Sequence, residues 1–257
     1  EPGAAFERSL GLIRRPPMAA IASQIKACLF DVFGTVVDWR TSVTRDLEEF
    51  SRSRGISGVD WLEFTVEWRT LYQPSMEEVR SGRRPFAILD VLHRESLVKL
   101  LHRHAIAHLP ADDVDHMSRV WHRLDPWPDV LEGLALLKRS RIIAPCSNGN
   151  IALMVNMARR AGLPWDCILG AETARAYKPL PEAYLASCRQ LGLRPAEVMM
   201  VAAHNNDLKA AKAQGLATAF VARPNEHGHG QTSDLAPDGS CVDIAAIDFA
   251  DLARQLG

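Results

Sequence analysis

The sequence lacks the compositional marks of a membrane, nucleic-acid-binding or disulfide-built protein. No apolar run approaches the roughly 18 residues that a transmembrane helix needs, and the opening segment EPGAAFERSLGLIRRPP has no apolar h-region. An excess of one charge is missing too. Thirty Lys and Arg stand against 31 Asp and Glu, a net charge of −1, so no bulk field draws the chain to nucleic acid or to an anionic membrane. Cysteine is scarce and patternless: Cys28, Cys146, Cys167, Cys188 and Cys241 are odd in number and show no CxxC spacing. They read as free thiols in a reducing compartment, the cytoplasm by default, and exclude a disulfide framework or a cysteine-built zinc site. Partners should be small or specific molecules.

What is present suffices for a sizeable core. The 257 residues, 47% hydrophobic and 24% charged, make one large domain or a core with a smaller second domain. Short continuous apolar runs, IKACLFDVF, RIIAPCS, WDCILG, EVMMVAA, ATAFVA and VDIAAI, have strand length and the character of parallel strands buried on both faces. Between them DVLEGLALLKRS, IALMVNMARRAG, PEAYLASCRQLG and NDLKAAKAQG repeat apolar residues at helical spacing. The alternation predicts an α/β fold with a doubly wound parallel sheet. From about residue 40 to 125 it stops, and TSVTRDLEEFSRSRG, WLEFTVEWRTLYQ, FAILDVLHRESLVKLLHRH and DDVDHMSRVWHRL all read as amphipathic helices. The expected organisation is a core of residues 21–39 and 126–257, a helical cap of residues 40–125, and a mobile extension over residues 1–20, with Met18 as the natural start. The stretch RPNEHGHGQTSDLAPDG is a long polar loop; His227 and His229 alternate across a glycine as in a metal pair, but a solvated loop is the simpler reading.

Four short stretches carry candidate chemistry, each with a plainer reading. Asp31 ends the first strand, and Gly34 lets the chain turn beneath it, with Thr35 packing or bonding the turn; the same aspartate could be a turn residue or helix cap. Ser147 and Asn148 precede a helix whose free amides form an anion site, or they simply cap it. Lys178, fixed before Pro179, is a site lysine or a solvated one. Asp207 follows the strand EVMMVAA at the mouth of a helix, again a site acid or a cap. All four lie at the ends of predicted strands in one sheet. Two carboxylates and a lysine converging there would keep each other charged.

The set FDVFGT, SNG, YKP and N-x-x-D resembles the four motifs of the haloacid dehalogenase superfamily, over essentially the whole chain from residue 26. The resemblance implies that Asp31 is a nucleophile and that Ser147, Asn148, Lys178 and Asp207 complete its site. Phosphatases of this superfamily keep a second aspartate two residues on to protonate the leaving group, and usually two acids in the last motif for magnesium. Here Phe33 and a single Asp207 stand in those places. A halide departs without a proton, so the pattern is similar to the L-2-haloacid dehalogenase branch. That branch takes a halide-binding arginine from the cap, which points to Arg69 after Trp68 in FTVEWRTLYQ, and a tyrosine six residues after the lysine, which matches Tyr184. Trp61, Phe64, Trp68 and Tyr72 form a stripe that reads first as cap core, with Trp68 also a candidate substrate contact, and Arg69 could equally lie on the surface.

The last motif departs from the family's S-x-N-x-x-D: Ala202, His204 and Asn206 replace a hydroxyl, an asparagine and an aromatic residue. The halogen pocket is expected to be polar and to donate a hydrogen bond, which suits fluoride. The implied enzyme is a metal- and cofactor-free hydrolase of short 2-haloalkanoic acids. Asp31 attacks; Ser147, backbone amides and Lys178 hold the substrate carboxylate; Arg69 and Asn148 take the halide; and Asp207, with His204, activates water. The alternatives are a magnesium-dependent phosphatase, a hydrolase of a strained-ring amino acid, and a non-catalytic small-carboxylate binder. Pairing of cap helices in this group implies a homodimer.

Overall fold

A computed structural model describes the backbone from residue 18 to 257 and side chains from residue 21. The expected N-terminal extension lies outside the described residues up to residue 17, whereas residues 18–20 already belong to a helix, α1 (Met18–Gln24). The chain then enters β1 (Ala27–Phe30) and turns into the short β2 (Val37–Asp38). Helices α2 (Trp39–Arg54), α3 (Trp61–Thr70), α4 (Tyr72–Arg80), α5 (Leu89–Arg103) and α6 (Ala111–Ser118) follow, and a 3-10 turn over Arg119–His122 leads to β3 (Asp125–Pro126). β3 pairs antiparallel with β2, closing the helical excursion at its root. The remaining elements alternate: α7 (Val130–Leu137), β4 (Ile142–Ser147), α8 (Ile151–Ala161), β5 (Leu169–Gly170), α9 (Ala171–Ala174), α10 (Pro181–Gln190), β6 (Val198–Ala202), α11 (Asn205–Ala213), β7 (Ala217–Val221), β8 (Ile244–Ala246) and α12 (Phe249–Leu256).

The main sheet runs β5-β4-β1-β6-β7-β8, and every pairing in it is parallel. Its strands are buried on both faces, which is why they appear in the sequence as unbroken apolar runs. In β1, Ala27 and Leu29 face one hydrophobic cluster while Cys28 and Phe30 face the other. Strand order reverses at β1, with β4 on one side and β6 on the other, so the ends of β1, β4 and β6 open onto one crevice, the place where open α/β sheets bind ligands.

Helix α2 starts at Asp38, whose carboxylate accepts the Thr41 N–H at 3.0 Å, and stops at Gly55 in the left-handed conformation (φ 67°). The aromatic stripe expected in the helical region is buried: Trp61, Phe64, Trp68 and Tyr72 are at most 7% exposed and share one cluster with Phe33, Trp39 and the β1 face of the sheet. Polar ties add to this continuity. Asn150, just before α8, accepts the Asp90 N–H at 3.1 Å and donates back to Asp90 Oδ2 at 2.9 Å, and the Tyr177 hydroxyl donates to Ala87 O at 2.6 Å.

Candidate active site

Asp31 follows β1 directly and its N–H still donates to Val201 O at 3.0 Å, so its side chain leaves the sheet at the crevice. The residue is 8% exposed and its carboxylate is surrounded by donors. Lys178 Nζ reaches Oδ1 at 2.9 Å, while the Thr35 hydroxyl donates to Oδ2 at 2.7 Å and His204 Nδ1 lies 3.0 Å from the same oxygen. Thr35 Oγ1 also accepts the Ala203 N–H at 2.9 Å, tying the turn after β1 to the end of β6. Burial pushes the Asp31 carboxyl up, but the Lys178 ammonium and His204 more than offset it and hold it far below the usual range. It is ionised at any ordinary pH.

Lys178 bridges the two acids. Its ammonium bonds both Asp31 and Asp207, and its backbone N–H donates to Asn148 Oδ1 at 2.9 Å, so the lysine is fixed at both ends. Burial disfavours its charge, yet the Asp207 and Asp31 carboxylates keep it protonated well past the ordinary lysine range. Asp207 also accepts the Tyr184 hydroxyl at 2.6 Å. Burial pushes its carboxyl up; Lys178 pulls it back, and the Asp31 charge adds to the rise. The two acids are thereby unlike in proton affinity, with Asp31 the stronger acid and Asp207 the better base.

These residues line a cavity of about 710 Å³ together with Phe33, Arg69, Tyr72, Asn148 and Asn206. The Arg69 guanidinium is stacked among rings, 4.1 Å from the Tyr72 centroid, 5.2 Å from Trp39 and 5.7 Å from Phe33. Its Nη1 is buried with no hydrogen-bond partner. A buried guanidinium donor without a partner is an anion site in waiting. Asn148 Nδ2 donates to the Tyr72 hydroxyl at 3.1 Å, joining the end of β4 to α4 across the cavity.

A family model described as haloacid dehalogenase-like hydrolase matches residues 25–215. The chain belongs to the haloacid dehalogenase-like hydrolases. An (S)-2-haloacid dehalogenase of Xanthobacter autotrophicus is 32% identical over 208 residues, 77% of this chain and 76% of its own. Two crystal structures, of a defluorinating L-2-haloacid dehalogenase and of a second L-2-haloacid dehalogenase, superpose with TM-scores of 0.88 and 0.87 at 50% and 49% identity; each covers 90% of this chain, and 95% and 98% of its own. The relatives place this haloacid dehalogenase-like chain in the L-2-haloacid branch.

Three residues singled out in this haloacid dehalogenase-like sequence stand behind the cavity wall. Ser147 is fully buried and its hydroxyl accepts the Gly149 N–H at 3.0 Å, so it shapes the turn that presents Asn148. The Thr35 hydroxyl bonds Asp31 and the Ala203 N–H. Trp68 donates Nε1–H to His93 O at 3.2 Å and packs against Trp121 at 5.4 Å, as cap core. One of the amides expected to form an anion site at the start of α8 is engaged: the Ile151 N–H donates to Glu172 Oε2 at 2.6 Å.

The residue that sequence reasoning missed is Glu226. It lies in the glycine- and histidine-rich loop after β7, is 1% exposed, and its Oε2 sits 2.8 Å from His204 Nε2. Both nitrogens of His204 are thus taken by carboxylates, so the donor expected toward a halide is not this histidine; Arg69 and the exposed Asn206 amide remain for that purpose. Divalent metal does not fit this donor set. Both Asp31 oxygens are engaged, with an ammonium and an imidazole where a cation would have to sit. Among the described residues no three His, Cys, Asp or Glu side chains, His227 and His229 included, are grouped to hold an ion.

Proposed function

We propose that the protein hydrolyses short 2-haloalkanoic acids to 2-hydroxy acids and halide through an ester on Asp31. The observation that carries this reading is the meeting, in one cavity, of an ionised carboxylate and an arginine whose buried Nη1 has no protein partner. Phe33, T-shaped against Tyr72 at 6.2 Å, stands where a phosphatase needs its proton donor. A halide leaving group requires charge stabilisation and no proton, which is what Arg69 and Phe33 together provide.

Asp31 displaces the halogen in line and inverts the carbon, while Lys178 orients the substrate carboxylate and Arg69, with Asn148 and Asn206, receives the halide. Ser147 and Thr35 hold the turns that carry these groups. Trp68 backs the wall through the aromatic cluster, and Tyr184 fixes Asp207 as the base that takes a proton from water attacking the ester. His204 keeps its proton between two carboxylates and is not that base. Residues 40–125 act as the cap over the 21–39 and 126–257 core, because α3 and α4 supply Arg69 and Tyr72 to a cavity whose acids come from the sheet. A cytoplasmic setting agrees with five unpaired cysteines, of which burial pushes Cys28 and Cys146 up to about 12. Among the described residues no helix is long and apolar enough to cross a membrane. Two copies are expected to pair through cap helices, which light scattering checks.

The halogen range includes fluorine in this reading, supported by the polar Asn206 and by the likeness to a dehalogenase described as defluorinating. The test is halide release from fluoro-, chloro- and bromoacetate and both 2-chloropropionate enantiomers, with Asp31→Asn as control. Chloride from the S enantiomer and fluoride from fluoroacetate are expected. Halide from none of them, with phosphate released from phosphoglycolate in magnesium, would sink the reading.

A further inference from the structure

Glu226 is buried where an unpaired carboxylate would be strongly disfavoured, and three elements are shaped around it. Its Oε1 accepts the Trp39 Nε1–H at 3.1 Å at the start of α2. A Cβ on Gly34 would fall 2.0 Å from that same oxygen, so the turn after β1 must carry glycine for the carboxylate to enter. Below it the loop is pinned by Arg223, which pairs with Asp129 at 2.8 and 2.9 Å and donates to Thr35 O at 2.8 Å. The third element is His204, just before α11, whose Nε2 faces Glu226 Oε2 at 2.8 Å while Nδ1 faces Asp31 Oδ2 at 3.0 Å. Each ring nitrogen meets an acceptor that has no proton to give, so both nitrogens carry one and the ring is an imidazolium.

Hydrogen bonding also tells the two Asp31 oxygens apart. Oδ2 is committed to Thr35 and His204, whereas Oδ1 meets Lys178 alone and keeps a lone pair for attack. Oδ1 therefore bonds to the substrate carbon, the carbon–halogen pair leaves with the halide, and Oδ2 becomes the ester carbonyl oxygen. Resting on the dehalogenase reading above, we propose that Glu226 is a positioning residue that locks His204 as the cationic half of an oxyanion hole at Asp31 Oδ2, with the Thr35 hydroxyl as the other half. When water adds to Asp31 Cγ, one of its protons passes to Asp207 and the carbonyl electron pair moves onto Oδ2, where Thr35 and His204 meet it. Collapse breaks the Cγ–Oδ1 bond, Oδ1 leaves as the product hydroxyl with the proton from Asp207, and water's oxygen remains in Asp31, whose second proton goes to solvent.

The surroundings favour a charged His204. Asp31 from the end of β1 and Glu226 from the loop after β7 contact it directly, and Asp207 stands on α11 behind Lys178. Against them are the Lys178 ammonium bonded to Asp31, Arg69 over the Trp39 ring, and His227, 3.7 Å from Glu226. Burial works against the charge, and the two carboxylates overcome it, holding His204 well above the ordinary 6.5. Removing the Glu226 charge lowers that value, so the oxyanion hole loses its cation at a lower pH.

The test combines single-turnover kinetics with histidine 15N NMR. In Glu226→Gln, ester formation should stay within a few-fold of wild type while ester hydrolysis slows about 10²-fold, the usual loss for one oxyanion donor. Mixing with (S)-2-chloropropionate should then give a chloride burst of one per site and a mass adduct on Asp31. The fall of activity at high pH should move to lower pH, and Glu226→Asp, which keeps the charge, should move it back. In a His204→Asn background, Glu226→Gln should change nothing further. Equal slowing of both steps with no adduct, or an unmoved alkaline limb, overturns the proposal. The NMR arm needs no substrate or variant: a wild-type His204 that is neutral at pH 7 overturns this proposal, whereas wild-type protein that releases no halide overturns the dehalogenase reading instead.

Discussion

Asp31 and Arg69 are the two residues whose surroundings are most one-sided. Every donor within reach of Asp31 is already aimed at it, so Asp31→Asn leaves the turn in place but removes the attacking charge and puts an NH₂ group against Lys178 or His204. Halide release should fall by at least about 10³-fold. Single turnover of wild type in 18O water should place the label in Asp31 before product; label in the first product formed would exclude an ester. Arg69→Lys keeps the charge and loses the flat group that stacks on Tyr72. We expect kcat on 2-chloropropionate to drop about 10²-fold with a smaller change in KM, because the leaving halide is bound most tightly as its charge develops; a pure KM effect would mean that Arg69 binds the substrate carboxylate instead. At this scale Asp31 and Asp207 were legible because each follows a strand of one sheet; Lys178 was legible from the YKP motif, although α9 separates it from β5. Glu226 was not, since its partner Trp39 is 187 residues away and its loop reads as solvent-exposed. The one local trace was Gly34, whose positive φ (90°) looked like a turn requirement and proves also to be clearance for a carboxylate.

Among elements, the strands were easiest to read from sequence, because burial on both faces leaves continuous apolar runs, and all six runs form the main sheet. The two-residue β2 and β3 are too short to show any period. The segment read as one helix, WLEFTVEWRTLYQ, is two, α3 and α4, divided at Leu71, which keeps helical angles (φ −79°, ψ −11°). Pro74, in the first turn of α4, has no N–H to give Thr70 O and its ring crowds that carbonyl, which breaks the ladder there although the apolar periodicity runs through it. Nor could sequence foretell the tie between α5 and α8, where Asp90 and Asn150 exchange two hydrogen bonds and Asp90 Oδ1 also meets His122 Nε2 at 2.9 Å. Asn150→Ala leaves the half-buried Asp90 short of a donor and its N–H short of an acceptor, a loss of about 1–3 kcal/mol. The thermal midpoint should fall by several degrees, and a cycle with Asp90→Ala should show strong coupling. Additive effects would mean that the two residues act independently.

Across the whole molecule, two histidines, the buried His93 and the half-buried His204, make stability depend on pH with opposite signs. His93 is 3% exposed, stacked on Trp121 at 4.5 Å, and neither ring nitrogen has a hydrogen-bond partner. Burial, helped by the Arg69 charge, pushes it down to about 3. The unfolded chain takes up a proton at this site near 6.5 and the folded chain does not, so stability from this group is complete above 6.5 and is lost as pH falls toward 3. The loss at the acid limit is on the order of 5 kcal/mol. His204 behaves in reverse: its pKa is raised, its contribution is complete below 6.5, and it is lost as pH rises through the folded value. The carboxylates held low by their partners, Asp31 and Asp90 among them, withdraw support only below about 4. Between pH 6.5 and 4, then, His93 is the main cause of acid weakening among these groups. His93→Phe, close in size and packed among the same aromatic rings, should keep a nearly constant thermal midpoint over that window while the wild-type midpoint falls by several degrees. Parallel curves for the two proteins would show that His93 is protonated in the folded state, and the buried cluster joining Phe33, Tyr72 and Trp121 would then have to accommodate a charge.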